Sequence, residues 1–193
     1  MTNQDIGIIK EAVSVLIGKP LTDLDRARAM IVVDFGELVE TDVVQRNEYG
    51  ESVRDEKGRL VYTKGMRGRY ALQALCSMRF TCGDDVIFAS DDILLPSTRV
   101  ASRSDFDWQT FNWGIEGNNS FDELVARHFI GGFGDYIVKD AKVSRLGDLT
   151  ILFENDFVLE LFSNYSRNDE NWCLYELGTD NALTVLGNGV EER

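Results

Sequence analysis

The sequence predicts an α+β fold, and three observations carry that prediction. Short apolar runs alternate at period two and are separated by turn residues. Two other stretches carry apolar residues at three- and four-residue spacing between helix caps. The order is helix, strands, linker, helix, strands, which is the order of an antiparallel α+β chain rather than an alternating α/β one. The strongest strand signal lies at residues 149–162. There Leu149, Ile151 and Phe153 alternate with Thr150, Leu152 and Glu154, and Phe157, Leu159 and Leu161 alternate with Val158, Glu160 and Phe162. Asn155-Asp156 divides the two runs, and both residues tolerate the positive φ of a tight hairpin turn.

Taken in order, residues 2–17 predict an amphipathic helix with Ile6, Ile9, Val13, Leu16 and Ile17 on one face. Thr2 with Asp5 matches a capping box, and Gly18 with Pro20 supplies the stop. Residues 21–28 read as a polar connection, and 29–38 as a strand. Residues 40–69 are turn-rich and read as a mobile hairpin or long insertion. Residues 70–81 give the clearest strand of the first half, with Tyr70, Leu72, Ala74, Cys76, Met78 and Phe80 on one face. A turn at 82–85 leads into a short strand at 86–90. Residues 98–117 carry Phe106, Trp108, Phe111 and Trp113 outside any period and read as a linker whose rings pack on a neighbouring sheet; an exposed patch for a partner is the alternative. Ser120 to Glu123 matches a second capping box, opening a helix through Leu124, Val125, His128 and Phe129 that Gly131-Gly132 ends. Strands follow at 136–144, 149–154, 157–162, 172–177 and 183–186.

This order suggests two similar helix-plus-antiparallel-sheet units. Residues 1–97 form the first, 98–119 the linker and 120–193 the second. Phe129-Ile130-Gly131 echoes Leu16-Ile17-Gly18, and residues 31–35 can be laid over 150–154, as a weak internal duplication would leave them. One continuous domain is the alternative.

Composition limits function. At 44% hydrophobic and 27% charged residues the chain has the means to bury a core. No apolar run reaches the roughly 18 residues of a membrane span, and the start lacks the pattern of a signal peptide, so a cytoplasmic protein is expected. Cys76, Cys82 and Cys173 lack metal or redox spacing and read as reduced thiols. A net charge of −13 opposes binding to nucleic acid or to an anionic membrane; it would attract a basic partner, although acidic proteins commonly carry such charge simply to stay in solution.

Chemistry is restricted mainly by what is missing. His128 is the one histidine and reads as a structural residue on an apolar helix. The glycines at 131, 132 and 134 sit at a helix C-terminus, where glycine caps, rather than at an N-terminus, where phosphate binds. Glu154, Asp156 and Glu160 flank a hairpin turn and could make an acid pair for glycoside chemistry, although exposed turn and strand carboxylates are far commoner. Trp172 reads as a core anchor, and Arg79 as pairing with an Asp near 84 or 91. No catalytic residue, metal ligand or cofactor is therefore assigned.

Residues 71–80, Ala-Leu-Gln-Ala-Leu-Cys-Ser-Met-Arg-Phe, followed by Gly83 and Ala89-Ser90-Asp91-Asp92, resemble a strand-turn-strand signature of a group of uncharacterised bacterial α+β proteins. A second signature is similar to Gly147-Asp148-Leu149-Thr150-Ile151, Leu159-Glu160-Leu161-Phe162 and Glu170-Asn171-Trp172. Together they cover about a third of the chain. Gln73, Met78 and Cys173 depart from the group's usual His, Trp and Arg. The group brings no established chemistry; its small, motif-poor α+β character is similar to that of immunity proteins of bacterial toxin systems.

The expectation that results is a non-enzymatic protein that binds a basic partner through an acidic surface. Its candidate contacts are residues 40–69 and the acidic pairs Asp84-Asp85, Asp91-Asp92 and Asp169-Glu170. The rival is a small-molecule binder or hydrolase with its site between the two units, drawing on Tyr70, Arg79, Trp108, Trp113, Glu154 and Glu160. A homodimer joined through strand edges is the third reading.

Overall fold

The computed structural model describes residues 1–47 and 51–192. It is an α+β structure with two antiparallel sheets. Helix α1 spans Asn3–Ser14. Its capping box is reciprocal: Thr2 Oγ1 accepts from the Asp5 amide at 3.1 Å, and an Asp5 carboxylate oxygen accepts from the Thr2 amide at 2.6 Å. Ile9, Val13 and Leu16 are buried, whereas Ile17 lies past the helical turns and is exposed. Gly18 leaves the helix at φ +78° and donates to Val138 O at 2.8 Å, tying the helix exit to the five-stranded sheet.

The chain between residues 21 and 28 is a strand rather than a connection. β1 (Leu21–Ala27) pairs with β2 (Met30–Val44). A register shift between Leu21 and Asp23 breaks the alternation, leaving Leu21, Leu24 and Arg26 buried at uneven spacing. That is why a period-two reading misses it. β2 continues through residues 40–44 and pairs along its length with β3 (Tyr62–Ala74). The expected insertion is thus the outer half of one long hairpin.

β3 and β4 (Ser77–Cys82) are the two pieces of what reads in sequence as a single strand. The chain turns a corner at Leu75 and Cys76, whose amides both donate to Asn171 O, and passes from one sheet to the other. The side-chain alternation survives the corner: Leu72, Ala74, Cys76, Met78 and Phe80 all enter one core. Strands that switch sheets in this way close the corners of stacked sheets.

β5 (Asp85–Ala89) leads into a 3-10 turn, Ser90–Leu94, and the short helix α2 (Thr98–Ala101). Helix α3 (Ser120–His128) is capped by Asn119, one residue earlier than expected; its side chain accepts from the Asp122 amide at 2.9 Å. β6 (Val138–Val143), β7 (Leu149–Phe153), β8 (Phe157–Phe162), β9 (Glu170–Glu176), β10 (Ala182–Leu186) and β11 (Val190–Glu192) complete the chain. The β7–β8 hairpin forms where the alternation and the Asn-Asp turn place it, with Asp156 at φ +67° and Leu149 opposite Leu161.

The six-stranded sheet has the order β1-β2-β3-β9-β10-β11, and the five-stranded sheet β5-β4-β8-β7-β6. Each sheet takes strands from both sides of residues 98–119, so the two halves of the chain interleave and the division at those residues is not a division of the sheets. The rows Ile31, Ala74, Trp172, Val185 and Val33, Leu72, Leu174, Leu183 line the inner face of the first sheet. They meet Phe80, Ile151, Leu159 and Leu161 of the second in one core. Trp172 is fully buried, with its indole N–H donating to Gly147 O at 2.9 Å. No helix among the described residues is long and apolar enough to cross a membrane.

Candidate functional site

The acidic pairs singled out in the sequence do not converge. Asp84 and Asp85 sit at the β4–β5 turn, while Asp91 and Asp92 follow the far end of β5. A five-residue strand separates the pairs by roughly 17 Å. Asp92 is committed to structure, since its carboxylate accepts from the Ala89 amide at 2.8 Å. Asp169 and Glu170 lead into β9 of the other sheet, where the Asp169 carbonyl accepts from Gly187 N.

What joins Asp84 and Asp85 is set by strand register. Cys82 is opposite Phe157, and Phe153 is opposite Val138. The β4–β5 turn, the β7–β8 turn and the start of β6 therefore lie at one end of the five-stranded sheet. That end carries Asp84, Asp85, Asp135, Glu154 and Asp156, all exposed. None of these carboxylates makes a side-chain hydrogen bond or ion pair among the described residues. Two apolar side chains stand out at the same end: Ile130 is 90% exposed and Val86 58%.

An aromatic cluster underlies this end. Phe80 stacks on Phe88 and Phe157 with ring centroids 5.0 and 5.3 Å apart, and Phe129 lies 5.0 Å from Tyr136. The Tyr136 hydroxyl is 2.8 Å from His128 Nε2. Burial holds His128 below its ordinary pKa and, with the Asp135 charge adding to it, holds Tyr136 above its own. The ring is neutral at pH 7, and its half-buried nitrogen already has a partner. Cys76 is buried and its thiol pushed up to about 12, which leaves it without nucleophilic thiolate at neutral pH. No group of His, Cys, Asp and Glu suited to a metal ion occurs among the described residues.

The residues of the rival reading are scattered. Arg79 pairs with Glu160 across β4 and β8 at 2.6 Å, not with an Asp near 84 or 91, and its guanidinium lies 4.9 Å from the Phe162 ring centre. Glu160 is thereby taken from any pairing with Glu154, which lies at the acidic end. Phe106, Trp108 and Phe111 pack on one another rather than on a sheet, with Trp108 61% exposed; Trp113 alone of the four packs against the core.

Residues 40–69 are not acidic: they hold seven Lys or Arg against six Asp or Glu. They nevertheless help to form a groove of about 430 Å³ between the outer half of the β2–β3 hairpin and the outer face of the six-stranded sheet. Asp34, fully buried, borders it and is held by Arg67, with a second contact of 3.0 Å from Nη2 to Oδ1.

No protein-family model, curated protein or solved structure matches the chain.

Sequence reasoning reached Asp84 and Asp85 but missed Asp135, Ile130 and Val86 as their neighbours. Glu154 and Asp156 were visible as turn carboxylates. Their grouping with Asp84 depends on β8 pairing with β4, a contact between distant parts of the chain that no local pattern encodes.

Proposed function

We propose that the chain is a non-enzymatic binding protein of immunity-like type, which docks a basic protein on the acidic end of its five-stranded sheet. The observation that carries this reading is the set of five exposed carboxylates around Ile130 and Val86 that have no cationic partner among the described residues. The net charge of −13 supports it, because a field of one sign attracts and orients a cationic partner over distances beyond contact. So does the resemblance of residues 71–92 and 147–172 to a group of uncharacterised bacterial α+β proteins whose small, motif-poor character is similar to that of immunity proteins. The functional use of Asp91, Asp92, Asp169 and Glu170 falls away in this reading, since they lie at other places on the surface.

The test is a capture experiment at low and high salt with three proteins. They are the wild type, the variant Asp84→Lys/Asp85→Lys/Asp135→Lys, and a control with Glu191→Lys/Glu192→Lys on the distant strand β11. The reading expects the wild type and the control to capture the same basic protein at low salt and the first variant to lose it. Equal capture by all three, or no basic protein recovered, contradicts it.

A further inference from the structure

The β2–β3 hairpin changes direction half-way along. Its register shifts between Phe35 and Leu38, where Gly36 takes φ +88°. Opposite Leu38 is Gly68, where a Cβ would stand 2.8 Å from the backbone N and O of Phe35. Only glycine allows the two strands to come so close at the bend. Beyond it, the outer half of the hairpin has two unlike faces. Val39, Thr41, Val43 and Arg67 are half-buried toward the groove, whereas Leu38, Glu40, Lys64 and Met66 face solvent.

What fastens this outer half is unusual. Among the described residues, no side chain from 36 to 69 belongs to the hydrophobic core or packs against it. The attachments to the rest of the protein seen among the described residues are ionic and polar. Near the bend Arg67 bridges to Asp34, with Asp23 3.9 Å away. Near the tip Arg46 reaches Asp25 at 3.5 Å and Glu116 at 3.6 Å and donates to the Arg26 carbonyl at 3.2 Å. The exposed Arg46 pairs are weak and screened by salt, and the Arg67 pair, with Asp34 buried, is screened much less; neither adds the salt-insensitive hold of apolar packing. An element held only by such contacts opens far below the free energy of global unfolding.

We propose that the outer half of the β2–β3 hairpin is a hinged strap. It bends at Gly36 and Gly68, is latched chiefly by Arg67 on Asp34, and opens the groove over Val32 and Ala71 while both sheets stay folded. The device is separate from the acidic end, so the two stand or fall independently.

Amide hydrogen exchange tests it. In the wild type, amides of residues 39–43 and 63–67 should exchange at least about tenfold faster than those of residues 31–35 in the same strand pair. Molar salt, which screens the exposed Arg46 pairs but reaches the buried Asp34 little, should speed the first group modestly and leave the second unchanged. Arg67→Gln leaves Asp34 buried without its cation and risks general destabilisation. The double variant Asp34→Asn/Arg67→Gln removes both charges, and it too should speed exchange beyond the bend while Trp172 fluorescence reports unchanged global unfolding. Exchange of both groups at one rate overturns the strap. A fast outer half indifferent to salt and to the double variant overturns the latch and, with it, the proposal.

Discussion

At the scale of single residues, the charges inside this protein are more telling than those outside. Asp23 is crowded by burial and by the neighbouring carboxylates of Asp34 and Asp25, which together outweigh the attraction of Arg67 and raise its pKa. A raised carboxyl favours folding when neutral. Its contribution is fully present below the unfolded value of about 4 and is lost as pH rises through the higher folded value. Asp23→Asn should therefore be slightly more stable than the wild type at pH 7, with the difference closing in acid. Because the side chain remains 42% exposed, solvent screens the effect, and a gain below about 1 kcal/mol is expected in urea titrations at the two pH values. The buried pair of Arg26 and Asp122 behaves differently. Two bonds of 2.6 and 2.7 Å join them, and Asp122 also accepts from Gly117 N and Asn119 Nδ2. Arg26→Met strands a carboxylate among these donors and should cost about 3 kcal/mol in chemical denaturation; Arg26→Met/Asp122→Leu should recover much of that loss.

At the scale of elements, the protein turns on two corners, and they explain what sequence reasoning reached and what it missed. Residues 70–80 alternate perfectly because every second side chain enters one core, although the chain changes sheets at Leu75 and Cys76. Alternation reports which side faces inward and is blind to the partner strand. The hairpin of β7 and β8 and the capped start of α1 were legible because their signals are local: an Asn-Asp turn and a Thr-Asp box. β1 was not legible, since a register shift breaks its period. The outer half of β2 and β3 was not legible either, since none of its apolar residues enters the core and its strands are ordered by their own ladder. The bend itself makes a prediction. Gly68→Ala forces a methyl against the Phe35 backbone and should destabilise the protein by about 2 kcal/mol or more, whereas Gly7→Ala, on a helix with open space around it, should stabilise it slightly; thermal melts of the two variants make the comparison.

At the scale of the whole molecule, interleaved sheets place three connections at one end, and those connections carry the carboxylates. Composition alone gave the sign of the charge and its total. It could not give the location, because Asp84, Asp135 and Asp156 are distant in sequence and meet only through the pairing of β4 with β8 and β7 with β6. The same topology sends Asp91 and Asp169 elsewhere, and residues 40–69, whose turn-rich polarity suggests a contact surface, carry a small excess of positive charge. Function on this account belongs to a face that no single segment owns. The most direct test is amide chemical-shift mapping as a lysine-rich peptide is added at low salt. The account predicts that the shifts gather at residues 84–86, 130–135 and 154–157 and collapse when salt is raised. Shifts spread evenly over the acidic residues, or centred on Asp91 or Asp169, would contradict it.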